Sequence, residues 1–337
     1  MNTRKAPLSA STSSAPVSRR KALAAVSMSL MAPAFAQTDP SRPITLLVGY
    51  SAGSTFDSIA RAVADLAGKR LGQTVVVENR AGAGGAIANA LGAKAAPDGH
   101  TILIGGAGSH VLTAVVRPNL PYDTEKDFVT IYGMASLPVV MVVPASSPVR
   151  SVDDFIARGR QNLGKVNFGS SGLGTSSHLA GELFNQRSSL KMTHVPYKDN
   201  NVMKTDLIAG RLDVVFDALP ALIGLIESNQ LRPLAVTNAK RSLRFPDVPT
   251  LTELGIKNFT IDSWVGIFAP RGISDENRRR LSEAFAEVVR SEEGRRRLMA
   301  LGAEPNPSDA AGLDRLWRGD IQHWRKFIAD SGTKVSE

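Results

Sequence analysis

Gly49-Tyr50-Ser51-Ala52-Gly53 has the Gly-x-Ser-x-Gly spacing that can hold a serine nucleophile on a sharp turn between strand and helix. In a hydrolase that elbow lies deep in the sheet, after an earlier loop has supplied an oxyanion donor. Here it follows the first strand-like segment beyond a basic, apolar leader, so hydrolysis at Ser51 is the remote reading. Residues 169–174 miss the same pattern, because Leu173 stands where the last glycine belongs. Gly82-Ala83-Gly84 begins a dinucleotide fingerprint, but Ile87 occupies the third glycine position, and no Gly-Lys-Ser/Thr phosphate loop occurs. His100, His110, His178, His194 and His323 include no pair at metal-ligand spacing, and cysteine is absent. No catalytic residue, metal or cofactor is expected.

Anion binding fits the residues better. Four segments rich in Gly, Ser and Thr (49–57, 80–85, 105–109 and 169–176) each lie at a predicted strand end and lead towards a helix. The first N–H groups of a helix lack intrahelical acceptors and carry the positive end of its dipole, which suits a carboxylate or phosphate. The candidates are Tyr50, Ser51, Gly53, Ser54, Thr55 and Asp57, then Gly106 and Ser109, then Ser170, Ser171, Gly172, Gly174, Thr175 and Ser176. Asp57 can stabilise its helix start or meet an amino group on a ligand. Asp217, at a strand end, can contact a ligand or close a loop hydrogen bond; both pairs of readings stay open.

The elements that must position these loops alternate between two periods. Residues 44–48, 74–78 and 101–104 read as buried strands. Between them, Ile59, Val63, Leu66 and Ala67 recur at helical spacing before Gly72, and 82–95 is alanine-rich. This order predicts a parallel sheet with helices on its faces. Strands at 139–143, 166–168, 194–197, 213–217 and 233–237, with helices around Phe155 and from His178, form a second such unit. A strand at 264–269, a helix capped by Ser274 and an amphipathic segment at 313–328 complete the chain. Two similar α/β domains follow, with crossings near 139–143 and 264–269; two crossings make a hinge.

The first 36 residues predict export. Arg4, Lys5, Arg19, Arg20 and Lys21 precede an apolar stretch at 22–35 that ends in Ala34-Phe35-Ala36, and no acid occurs before Asp39. That is the layout of a cleaved secretory signal, too short for a membrane span of roughly 20 residues. Ser18-Arg19-Arg20 leaves a twin-arginine route open. A net charge of +9, less the five leader charges, leaves about +4, dispersed and without aromatic interleaving, so a nucleic-acid partner is not expected.

Several blocks, in order, resemble one family. Pro43-Ile44-Thr45-Leu46-Leu47-Val48 leads into Gly53-Ser54-Thr55-Phe56-Asp57, and Val75-Val76-Val77-Glu78-Asn79-Arg80 into Gly82-Ala83-Gly84-Gly85. Ala96-Pro97-Asp98-Gly99, His178-Leu179-Ala180-Gly181-Glu182, His194-Val195-Pro196-Tyr197-Lys198 and Pro246-Asp247-Val248-Pro249-Thr250 follow. Together they resemble the tripartite tricarboxylate transporter receptors, the Bug family, over nearly the whole chain beyond the leader. The resemblance implies a periplasmic receptor with a type II periplasmic-binding-protein-like fold. Its parts would be residues 37–140 with 262–337, and an inserted 141–261. It also implies a small carboxylate ligand (organic acid, acidic amino acid or aromatic carboxylate) and a membrane permease as partner, with a sensor kinase as the alternative. Carried residue by residue, it sets Gly53, Ser54, Thr55 and Asp57 opposite Ser171, Gly172, Gly174, Thr175 and Ser176. The chain departs from the family's Pro-Pro-Gly-Gly turn with Ser51-Ala52-Gly53-Ser54, and has Asp199 in place of a glycine. Lost prolines restore N–H donors and free φ.

Overall fold

The computed structural model describes residues 42–331, apart from 118, 174, 198 and 258; the expected export signal and Gly174 lie outside them. β1 (Ile44–Val48) is followed by α1 (Thr55–Leu71), β2 (Val75–Asn79), α2 (Ala86–Ala93) and β3 (Thr101–Gly106). β1 pairs in parallel with both β2 and β3, and parallel pairing requires the helical crossovers. Both faces of β1 are covered. Ile44, Leu46 and Val48 pack with Ile59, Ala60 and Val63 of α1, whereas Leu47 enters a different core cluster. A strand buried on both sides reads as a continuous apolar run, as this one does. Ser54 caps α1 by accepting the Asp57 N–H, and Gly72 ends it in the left-handed region at φ 65°.

The expected loop at 105–109 is not a loop. β3 runs through Gly106, and Ala107–Leu112 forms a π-helical turn that continues into α3 (Thr113–Val116). A Cβ at Gly105 would fall 2.1 Å from the His110 ring, and one at Gly106 2.2 Å from the Trp264 carbonyl oxygen. These glycines serve close packing of the chain.

β4 (Phe128–Pro144) spans 17 residues, well beyond the expected 139–143. After it come α4 (Val152–Gln161), β5 (Asn167–Ser170), α5 (Ser176–Ser188), β6 (Thr193–Pro196), α6 (Asn200–Ile208), β7 (Val214–Ala218), α7 (Leu219–Glu227) and β8 (Leu231–Val236). β9 (Asp262–Pro270), α8 (Asp275–Arg290), α9 (Glu292–Ala300), β10 (Glu304–Ser308) and α10 (Ala310–Ser331) follow. The first part of β4 pairs antiparallel with β9 and β10, and its last part with β7 and β8. β5 lies parallel between β6 and β7. The strand order is β2-β1-β3-β9-β4-β7-β5-β6, with β8 and β10 also bonded to β4. The described residues belong to one compact unit. Among the described residues, no helix is long and apolar enough to cross a membrane.

The sequence reading missed α6, α7, α9 and β10. α6 buries only Met203 and Leu207, so its polar surface carries little helical period.

Candidate functional site

The carboxyl ends of β1, β5 and β7 open on one cleft of ≈ 660 Å³, the position where open α/β sheets take their ligands. Tyr50, Gly53, Ser54 and Thr55 line it from the loop after β1, Ser171, Thr175 and Ser176 from the loop after β5, and Asp217 from β7. A smaller cavity of ≈ 320 Å³, lined by Lys165, Gly210 and Asp213 among others, lies at the opposite ends of β5 and β7.

Hydrogen bonding within the first loop determines what it can offer. Asp57 is 3% exposed and does not line the cleft. Its carboxylate accepts the Gly53 N–H at 2.8 Å, the Asn79 amide at 2.9 Å and Arg61 Nε at 3.0 Å. Asn79 also donates to the Tyr50 carbonyl at 3.0 Å. Burial alone would raise the Asp57 pKa, but the donors from Arg61, Gly53 and Asn79 outweigh it and hold the carboxyl below its usual range. Gly53 sits at φ 80°, a conformation suited to glycine. With the Gly53 and Asp57 N–H groups engaged, donors left to the cleft include the first-turn amides of Thr55 and Phe56 and the hydroxyl protons of Ser54 and Thr55. Tyr50 stacks on Phe56 with ring centroids 4.8 Å apart, and burial pushes its phenol up to about 12.

The second loop is built on an analogous plan. Thr175 caps α5, accepting the His178 N–H at 3.3 Å while its hydroxyl donates to the Gly172 carbonyl at 2.7 Å. The Ser176 and Ser177 amides remain as first-turn donors. Ser170 is fully buried, and its Oγ accepts the Gly172 N–H at 3.2 Å and lies 2.6 Å from His194 Nε2. His194 stacks on His178 at 4.1 Å, and Glu182 lies 3.7 Å from His178 Nε2. Burial, helped by the neighbouring His178, pushes His194 down to about 4, so it is neutral near pH 7. Ligand atoms of His178, Glu182 and His194 all fall within 4.8 Å of one another, a cluster that sequence spacing did not reveal. The two rings are nearly parallel, with 25° between their planes. An ion in the plane of one ring would lie well out of the plane of the other, so the cluster is a buttress under the loop.

The cleft also contains charge the sequence reading overlooked. Arg117 and Lys204 line it, and neither makes an ion pair among the described residues. Lys204 comes from α6, the helix whose pattern was too weak to read. Asp217 is the one acid lining the cleft among the described residues. Oδ1 accepts the Ala218 N–H at 2.8 Å, whereas Oδ2 has no partner, and burial raises the carboxyl to about 6.

The remaining candidates fall outside the cleft lining. Ser51 is exposed, and its carbonyl accepts the Ser54 N–H; no histidine bonds its hydroxyl among the described residues. Gly106 and Ser109 are sequestered, with Ser109 Oγ 3.0 Å from His110 Nδ1. His110 is itself fully buried and depressed to about 3 by that burial. Ser170 and Gly172 shape the second loop from beneath.

Comparison with known proteins places this geometry. Residues 59–333 match the model of the tripartite tricarboxylate transporter family receptor. The chain is 33% identical over 307 residues to Protein BugT of Bordetella pertussis, covering 91% of this chain and 94% of BugT. An R. palustris protein solved with adipate is 36% identical with a TM-score of 0.78, over 87% of this chain and 98% of that one. MatC from Rhodopseudomonas palustris, solved with bound malate, is 28% identical with a TM-score of 0.74, over 86% and 99%.

Proposed function

The chain belongs to the tripartite tricarboxylate transporter receptor family, and from that premise we propose that it captures a small carboxylate in the cleft and delivers it to a membrane permease. One observation carries the ligand reading: the N-termini of α1 and α5 present unspent first-turn amides to the same cleft, where Arg117 and Lys204 add positive charge. The relatives solved with adipate and malate support a carboxylate. The permease follows from the family alone. In this reading the protein acts by binding, without catalysis, which is supported by two features: among the described residues no histidine bonds the Ser51 hydroxyl, and the buried serine–histidine contacts at Ser109 and Ser170 do not line the cleft.

In this reading residues 37–140 with 262–337 form one domain and 141–261 the other, hinged where β4 passes from β9 to β7. The ligand draws the loops at 50–57 and 170–176 together, with Gly174 part of the second. Export removes residues 1–36 and leaves a periplasmic protein beginning near Gln37, which mass measurement of periplasmic material checks.

A thermal-shift screen of the processed protein against small carboxylates tests the ligand class. A ligand at about 100 times its dissociation constant stabilises by roughly 2.7 kcal/mol, a rise of about 5–10 °C for a chain this size. The amide or alcohol analogue should shift melting much less, and scattering should show compaction with the acid. No response to any carboxylate would remove the proposal; tight binding without compaction would remove the closure.

A further inference from the structure

Asp217 sits at the end of β7 as a residue 9% exposed, at the cleft that is otherwise furnished for an anion. Its neighbour across the ladder is Val140 of β4, which offers no side-chain donor. Oδ1 is bonded to the Ala218 N–H, and Oδ2 has no partner among the described residues. The charged groups sharing the cleft are Lys204 from α6 and Arg117 after α3, and neither forms an ion pair with Asp217. An unpartnered buried acceptor in a native structure requires an explanation, because leaving it unmade is costly.

A carboxylate receptor gains nothing from a second carboxylate aimed at its anion, unless another part of the ligand answers it. We propose that Asp217 is a specificity residue: its free Oδ2 selects a carboxylate ligand that also carries a hydrogen-bond donor, a hydroxyl or an ammonium group. This rests on the carboxylate reading above and narrows it to substituted acids. Discrimination comes from satisfying that oxygen. Oδ2 is already shut off from water, so an acid lacking the donor leaves it unpartnered, whereas one carrying the donor supplies the missing bond. A site built around a polar partner disfavours the analogue without one by at least tenfold. Burial supports the assignment, since it raises Asp217 to about 6 and leaves it mostly ionised, and accepting, near pH 7.

The test is isothermal titration of the processed full chain at pH 7.5 with three matched sets. These are malate, succinate and aspartate; 2-hydroxyglutarate, glutarate and glutamate; and lactate, propionate and alanine. In whichever set binds, the hydroxyl or ammonium member should bind about tenfold or more tightly than the unsubstituted acid, and which of the two wins identifies the donor. Asp217→Ala removes both carboxylate oxygens and puts no new donor in their place. It should bring the preference to within about threefold, weakening the substituted member and, with one negative charge gone, favouring the unsubstituted acid. Equal binding of substituted and unsubstituted acids by the unaltered protein overturns the inference and leaves the carboxylate reading standing. So does an Asp217→Ala variant that keeps the full preference. If none of the nine acids binds, the carboxylate reading falls and the inference with it. The unaltered protein's preference decides the question even if the variant fails to fold.

Discussion

Asp57→Ala removes a carboxylate that does not line the cleft yet holds the shape of the first loop. The structure assigns it three donors: Gly53 N–H at 2.8 Å, Asn79 Nδ2 at 2.9 Å and Arg61 Nε at 3.0 Å. Arg61 is 54% exposed and regains water when its partner goes, so its share is small. The Gly53 and Asn79 donors are less easily rehydrated, and each bond to a buried charged acceptor contributes about 1.5–3 kcal/mol. The first turn of α1 also loses an acid at the positive end of its dipole, about 0.3–1 kcal/mol. Discounting for relaxation and non-additivity, the expected loss is about 2–4 kcal/mol, or a fall in melting temperature of about 5–10 °C. The Asp57 pKa is lower folded than unfolded. Its stabilisation is therefore complete above about pH 4 and is lost as pH falls through the folded value. Calorimetry on the variant at pH 7.5 and below pH 3 measures both effects, and the gap should narrow at the lower pH. Carboxylate affinity should also weaken, because the turn at Gly53 loses its anchor. A fall of less than about 1 °C at pH 7.5, or an equal deficit at both pH values, would falsify the account of Asp57 as a charged clamp.

Asp320 accepts the Trp264 indole N–H at 2.7 Å, yet burial, aided by nearby Asp262, raises it to about 6. A raised carboxyl favours the protonated folded state, so its penalty develops between about pH 4 and 6 and persists above. Asp320→Asn, which can keep the indole bond, should therefore raise stability by about 1–3 kcal/mol at pH 7.5 and change it little at pH 4; denaturant titrations at both pH values check this, and equal effects would refute it. Gly106→Ala should lower stability by at least about 3 kcal/mol, since the added Cβ lies 2.2 Å from the Trp264 carbonyl oxygen across the β3–β9 ladder. An undiminished melting temperature would mean that β3 and β9 separate easily there.

The first loop and its helix were legible in the sequence because the determinants are local. Apolar residues at helical spacing, Asp57 in the first turn and Gly72 just past the end each act within a few residues of chain, and α1 has those features; its cap, Ser54, was read only as a ligand contact. Ser274 and the start of α8 were readable for the same reason. The glycines at 105 and 106 were misread because a glycine that turns a loop and one that admits a neighbouring backbone look alike in sequence. The distances to His110 and Trp264 separate them.

Charge and polar partnership were decided through space. Lys204 and Arg117 carry no local sign that they share a cleft with the loop after β1, because packing of α6 against β4 and β5, and of α3 against α10, brings them there. His178 and His194 lie on separate elements and become a stacked pair only because β5 and β6 are adjacent beneath α5. Asp217 is the clearest case. Its position at a strand end was readable from the apolar run before it, but both readings of its side chain stayed open in sequence. The fold satisfied one oxygen with the Ala218 N–H and buried the other beside the cleft without a partner. Hydrogen-bond satisfaction depends on all groups within about 3 Å, and most of those belong to other parts of the chain.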